Sequence, residues 1–169
     1  MEEFSSLLEP NIPRLRRYAR ALTHEGTRAD DLVQDTLVRA LAKQHLWKPG
    51  TDIRAWLFTI LHNLHVSGIR RNVREGLPEE IDDNVMPAAA ADPSAQTTRL
   101  RLRDLDRALA LLPEEQRQVI LLVGLEGMRY AEVAGIVCVP TGTVRSRLSR
   151  GRCTLRRLMN GSAAELTAA

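Results

Sequence analysis

The sequence predicts an all-α protein of two small helical domains joined by a flexible acidic linker, the C-terminal domain carrying a helix-turn-helix. Three observations carry this expectation. Hydrophobic residues make up 44% of the chain but aromatic ones only 4%, so leucine, alanine and valine dominate, which favours helices over an aromatic-rich sandwich. Apolar residues recur at spacings of three and four in both halves, and no convincing period-two run appears. Between the halves, Glu75 to Thr98 holds Gly76, Pro78, Pro87, Pro93, an alanine run and six acids with no base. Such a composition cannot bury enough apolar surface to order itself. The expected division is therefore 1–75, a linker over 76–98, and 99–161.

In the first domain, Leu15, Tyr18, Ala19 and Leu22 make one helical stripe, and Val33, Leu37, Ala40 and Leu41 a second. A third helix carries Leu57, Ile60, Leu61 and Leu64, with Thr51 and Asp52 as capping candidates before Ile53. In the second domain, Leu102, Leu105, Leu109 and Leu112 form a stripe stopped by Pro113. Pro113-Glu114-Glu115 suits the first turn of a new helix, where proline lacks only a dispensable donor and the acids meet the dipole. A short helix from Tyr130 to about Val137 then meets a break over Cys138–Thr141, and a longer helix follows with Val144, Leu148, Leu155 and Leu158 facing inward.

Charge distribution says more than total charge. Lys+Arg 24 against Asp+Glu 21 leaves a net of only +3. Residues 53–74, however, carry Arg54, Arg70, Arg71 and Arg74 with no acid, and residues 113–161 hold 8 bases against 4 acids. Two basic patches flanking an acidic stretch suit a chain that touches a polyanion twice, although ordinary solvated faces produce the same pattern. No apolar run approaches the roughly 20 residues that cross a bilayer. No secretory signal opens the chain, so a cytoplasmic location is expected. Cys138 and Cys153 are too few for a disulfide framework or a zinc site and too far apart in the motif for a redox pair. His62 and His65 lack an acid or cysteine within 53–74 to complete a metal site. With no nucleophile–base pair and no phosphate loop, neither catalytic residues nor a cofactor is expected.

The second helix of the motif has what groove reading needs. Thr141, Thr143 and Ser146 lie near its start, Arg145, Arg147 and Arg150 follow, and Arg152, Arg156 and Arg157 extend the basic surface. Arginine pairs bidentately with guanine edges in the major groove, hydroxyls serve bases or phosphates, and the helix N-terminus attracts a phosphate. No acid falls between Glu132 and Glu165. A basic solvent face on an amphipathic helix is the plainer alternative.

From LPEEQRQVILL, beginning at Leu112, to GTVRSRLSRGR, beginning at Gly142, this half resembles the C-terminal domain of the extracytoplasmic-function (ECF) sigma factors of bacterial RNA polymerase. One departure is Cys138, where family members usually carry glycine at the end of the motif's first helix; a non-glycine in a left-handed cap costs on the order of 1 kcal/mol. RADDLVQDTLVRALAK, Arg28 to Lys43, resembles the family helix that docks on the polymerase clamp, which assigns Asp31, Gln34, Asp35 and Arg39 to core polymerase. DIRAWLFTILHNLHVSGIRRNVRE, Asp52 to Glu75, resembles the segment that opens and reads the −10 element. There Arg70, Arg71 and Arg74 hold the backbone, and Asn63, His65, Val66, Ser67 and Gly68 lie on or beside a pocket-forming loop for an extruded base. Trp56 matches a family tryptophan, with packing as its expected work.

The resemblance covers residues 4–160, and GTDIRAWLFTILHN and RADDLVQDTLVRAL look most like the alphaproteobacterial general-stress group. It implies core RNA polymerase, promoter DNA and an anti-sigma protein as partners, with a response regulator that titrates the anti-sigma away. It implies no cofactor, membrane or small-molecule substrate. The 24 residues from Glu75 to Thr98 span at most about 80 Å at roughly 3.3 Å each, against about 70 Å between sites two turns apart on DNA. Whether the acidic linker mimics RNA in a polymerase channel or is a solvated tether stays open. The rival readings are a stand-alone helix-turn-helix regulator, which gives no reason for the N-terminal segments, and a sigma-like decoy, which gives none for the two basic patches.

Overall fold

A computed structural model describes residues 2–76 and 93–167, with side chains described over 4–76 and 98–160. Among these residues the secondary structure is helical, without a strand. The N-terminal module comprises α1 (Glu2–Leu8), α2 (Ile12–Thr23), α3 (Gly26–Ala42) and α4 (Ile53–Glu75), and the C-terminal module α5 (Pro93–Ala110), α6 (Glu114–Ile120), α7 (Tyr130–Val137) and α8 (Thr141–Thr167).

The first stripe is buried throughout: Leu15, Tyr18, Ala19 and Leu22 of α2 all lie in the core. Tyr18 meets Phe58 of α4 edge-on, with ring centroids 5.1 Å apart, and Trp56 packs beside Phe4. Asp52 caps α4, its carboxylate accepting from the Arg54 and Ala55 amides, while the Thr51 hydroxyl donates to the Lys48 carbonyl. In α3 the buried face is Ala29, Val33, Thr36 and Ala40, rotated from the expected one, so that Leu37 is half-buried and Leu41 is 41% exposed. Small residues let α3 approach its neighbours closely, and the Thr36 hydroxyl is satisfied by the Leu32 carbonyl.

The second module departs from expectation in three places. Helix α5 begins at Pro93, inside the stretch expected as linker; no glycine or proline follows until Pro113. Of the six acids weighed either as an RNA mimic or as part of a solvated tether, Glu75 ends α4, and the five from Glu79 to Asp92 lie outside the described residues. The α5 stripe is correct in phase, and its burial falls away from the C-terminal end: Leu109 and Leu112 are buried, Leu105 half-buried and Leu102 58% exposed. Finally, α6 widens into a π-helical turn over Leu121–Leu125, in which the Glu126 amide reaches back to the Leu121 carbonyl.

Helix α8 lies so close to α6 that a Cβ on Gly151 would stand 2.6 Å from Ile120 Cδ1 and 3.2 Å from Gln116 Cβ, which seats α8 firmly on α6. The two modules also share one hydrophobic core, with α2 packed on α5 and on the π-helical turn, and α4 on α7.

Candidate nucleic-acid interface

The helix-turn-helix forms as its sequence predicts. Helix α7 ends at Val137, Cys138 takes φ 54° and ψ 46°, and α8 opens at Thr141. Cys138 thus adopts the left-handed conformation in which helices commonly end, without being glycine. Its thiol lies 3.7 Å from the Gly135 carbonyl. At the other end of α7, Glu132 accepts from the Arg129 amide at 2.7 Å, and that bond holds its carboxyl below the usual range. Val144 and Leu148 anchor α8 in the core.

Around that anchor, Thr141, Arg145 and Arg150 are exposed, and Thr143, Ser146 and Arg147 are half-buried. The Ser146 hydroxyl donates to the Thr143 carbonyl at 3.0 Å. The Arg145 guanidinium stands 5.9 Å from the centre of the Tyr130 ring. Arg147 reaches back to α6, where its Nη2 lies 2.7 Å from Glu115 Oε2. Glu115, to which the sequence assigns only a dipole role, therefore restrains one of the candidate readers. Arg152, Arg156 and Arg157 continue the exposed basic surface.

The second basic patch requires a correction. Helix α4 runs unbroken from Ile53 to Glu75, so the expected loop over 63–68 is helix. The buried face of Leu57, Phe58, Leu61, His62 and His65 keeps helical spacing into those residues, and Gly68 alone does not end a helix packed against α3 and α7. At about 100° per residue, Asn63, Ser67, Arg70, Arg71 and Arg74 fall within one sector, and all are exposed. His65 points the other way. It is buried against the C-terminal module, with Nε2 2.6 Å from Glu114 Oε1, and so stands apart from the stripe it was expected to join. Glu114 also bonds Gln118 at 2.7 Å and Arg117 at 2.8 Å. Burial works to raise the Glu114 pKa, but the His65 hydrogen bond and charge, with Arg117 and Gln118, outweigh it and hold the carboxyl below its ordinary value. Burial, with His65 nearby, pushes His62 down. Arg54, counted by sequence with the basic patch, instead donates to the Glu126 carbonyl at 3.4 Å.

On α3, Asp31, Gln34, Asp35 and Arg39 are all exposed on one side. Val38, 66% exposed, lies at the centre of that stripe, and Leu41 borders it. Sequence reasoning passed over Val38; its helical phase relative to Gln34 and Asp35 is the signal that places it there. No helix among the described residues is long and apolar enough to cross a membrane.

Residues 8–62 match the family described as the Sigma2 domain of PhyR, and residues 102–155 match Sigma-70, region 4. The chain is 40% identical over 154 residues to the ECF RNA polymerase sigma factor EcfG of Rhodopseudomonas palustris, covering 91% of this chain and 83% of the relative. It is 36% identical to the ECF RNA polymerase sigma factor SigE of Mycolicibacterium smegmatis, covering 92% of this chain and 61% of that one. Among solved structures, it is similar to the sigma factor RpoE in complex with the anti-sigma factor NepR from Bartonella quintana, with a TM-score of 0.79 and 38% identity over 95% of this chain and 98% of that chain.

Proposed function

The chain belongs to the ECF family of RNA polymerase sigma factors, and from that premise we propose how its surfaces divide the work. The exposed stripe of α3, Asp31, Gln34, Asp35 and Arg39 around Val38, docks on core RNA polymerase. The start of α8 reads the upstream −35 element as duplex through Thr141, Thr143, Arg145, Ser146, Arg147 and Arg150. Asn63, Ser67, Arg70, Arg71 and Arg74 hold the melted −10 element along α4. His65 has no part in that stripe while the modules are packed together. The chain does no covalent chemistry; polymerase makes the phosphodiester bond, and the factor contributes binding energy that selects and opens the promoter.

The observation that carries this reading is the separation of three exposed polar stripes onto three helices, two of them basic and one partly acidic. A stand-alone regulator would need only the α8 surface. The similarity to EcfG and to a NepR-bound sigma factor supports a general-stress role, an anti-sigma partner of the NepR kind and a cytoplasmic location. The division of labour is tested by Asp35→Lys. Core polymerase binding should weaken while upstream-element affinity of the full chain is unchanged; retained core binding removes α3 as the docking surface.

A further inference from the structure

The first turn of α6 carries two carboxylates with different partners. Glu114 is taken up by His65, Arg117 and Gln118. Glu115 turns toward α8, where its Oε2 lies 2.7 Å from Arg147 Nη2. Two other close pairs are sunk in the fold: Arg17 meets Glu126 at 2.7 Å, with the Glu126 side chain fully buried, and the buried Arg117 meets Glu114 at 2.8 Å. The Glu115 side chain, by contrast, is 69% exposed and that of Arg147 20%. An ion pair with one partner in water adds little to stability, and α8 is already seated by Val144, Leu148 and the close approach at Gly151. Among the described residues Arg147 is also the one arginine of α8 paired with an acid.

Helical phase shows what this pair restrains. At about 100° per residue, Arg145 and Arg147 stand about 80° to either side of the line along which Val144 and Leu148 enter the core. Each is held there by another helix. Arg145 lies 5.9 Å from the centre of the Tyr130 ring of α7, and Arg147 is drawn to Glu115 of α6.

A helix with its side chains is about 10–12 Å across and the major groove about 12 Å wide, so a helix lying in the groove has its flanks beside the phosphates. An arginine free to swing from a flank takes a phosphate on any sequence. Arg147 cannot offer Nη2 to a phosphate while that nitrogen holds Glu115, and the carboxylate itself repels a phosphate brought close. The guanidinium carries five N–H donors, so the pair leaves others for a base edge.

We propose that Glu115 is a specificity-determining positioning residue of the upstream-element site, holding Arg147 away from the phosphates and presenting its remaining donors to one base pair. Arg147 then contributes to the difference between right and wrong sequences rather than to affinity for all of them. This role rests on the reading of α8 as the upstream-element binder, to which it adds a residue of another helix.

The test uses the full chain and compares wild type with Glu115→Gln, Arg147→Ala and the double variant. Glutamine keeps the shape of the side chain and removes its charge. The probes are a duplex selected by the wild type from a randomised pool, its single base-pair variants and a random-sequence duplex, each titrated over a range of salt. Glu115→Gln should bind the random duplex more tightly, with a salt slope steeper by about one, the mark of one more phosphate neutralised. Its discrimination at the base pair read by Arg147 should fall about threefold, part of the roughly fivefold or more that a bidentate contact supplies. Removing a negative charge near DNA tightens binding by itself, and the double variant separates the two effects. In the Arg147→Ala background, Glu115→Gln should leave the slope and the discrimination where Arg147→Ala alone puts them. A slope and discrimination unaltered in Glu115→Gln overturn the proposal, as do the same changes persisting without Arg147. Equal weakening on every duplex, with a lowered Tm, would make the pair a scaffold contact and overturns it too. A wild type that selects no sequence from the pool removes the upstream-element reading and the proposal with it, whereas selection by the wild type beside an unaltered Glu115→Gln removes the positioning role alone.

Discussion

Replacing Cys138 by glycine should stabilise the protein. Cys138 sits at φ 54° and ψ 46°, where an L side chain crowds the following carbonyl. That conformation costs roughly 1–2 kcal/mol for a non-glycine residue. Glycine removes the crowding but raises the entropy of the unfolded chain, which takes back about 0.4–1 kcal/mol. Little else is at stake, because the side chain is exposed and its one contact is a weak 3.7 Å approach to the Gly135 carbonyl. The net is a gain of about 0.5–1 kcal/mol, or a rise in Tm of about 1–4 °C for a chain of this size. Thermal unfolding followed by circular dichroism measures it, with Cys138→Val as the opposite control, since a β-branched residue tolerates this conformation worst. A lower Tm for the glycine variant, or none of the expected loss for valine, refutes the argument that the turn is strained.

Arg147→Ala should lower discrimination at one upstream base pair by about 1–3 kcal/mol; equal loss across all upstream sequences would make Arg147 a phosphate contact. Arg70→Ala and Arg74→Ala should each weaken binding to melted downstream DNA uniformly and reduce its salt slope by about one, a result that an unchanged slope contradicts. Glu114 has a pKa held below its ordinary value, so the stability it contributes is present above the carboxylate range and is lost as pH falls through the depressed folded value. Acid unfolding should therefore show a component that disappears in Glu114→Gln; identical acid profiles would remove it.

How much was legible in the sequence depended on whether a residue answers to its own helix or to another. The boundaries of α7 and α8 follow from local signals, Pro140, Thr141 and the spacing of Val144 and Leu148, and the structure places them there. The left-handed cap at Cys138 was not legible in this way: the resemblance supplied it, and a cysteine at that position argued against it. The exposed stripe Asp31, Gln34, Asp35 and Arg39 is a matter of helical phase and is likewise readable. His65 was not, because its burial depends on Glu114, 49 positions away in sequence. Arg17 and Glu126, 109 positions apart, carry no mark of each other in the sequence. The loop expected at 63–68 failed for another reason: a resemblance supplied it, while no proline interrupts the segment and its buried face keeps helical spacing as far as His65.

The central claim, that this chain directs polymerase to a promoter by gripping two elements, is tested most directly by run-off transcription. Purified core RNA polymerase lacking any sigma factor is mixed with the chain and a genomic promoter library, with no inhibitor present. Discrete start sites downstream of a shared pair of elements, appearing only when the chain is added, are the predicted result. Transcription that starts at random, or not at all, would contradict it.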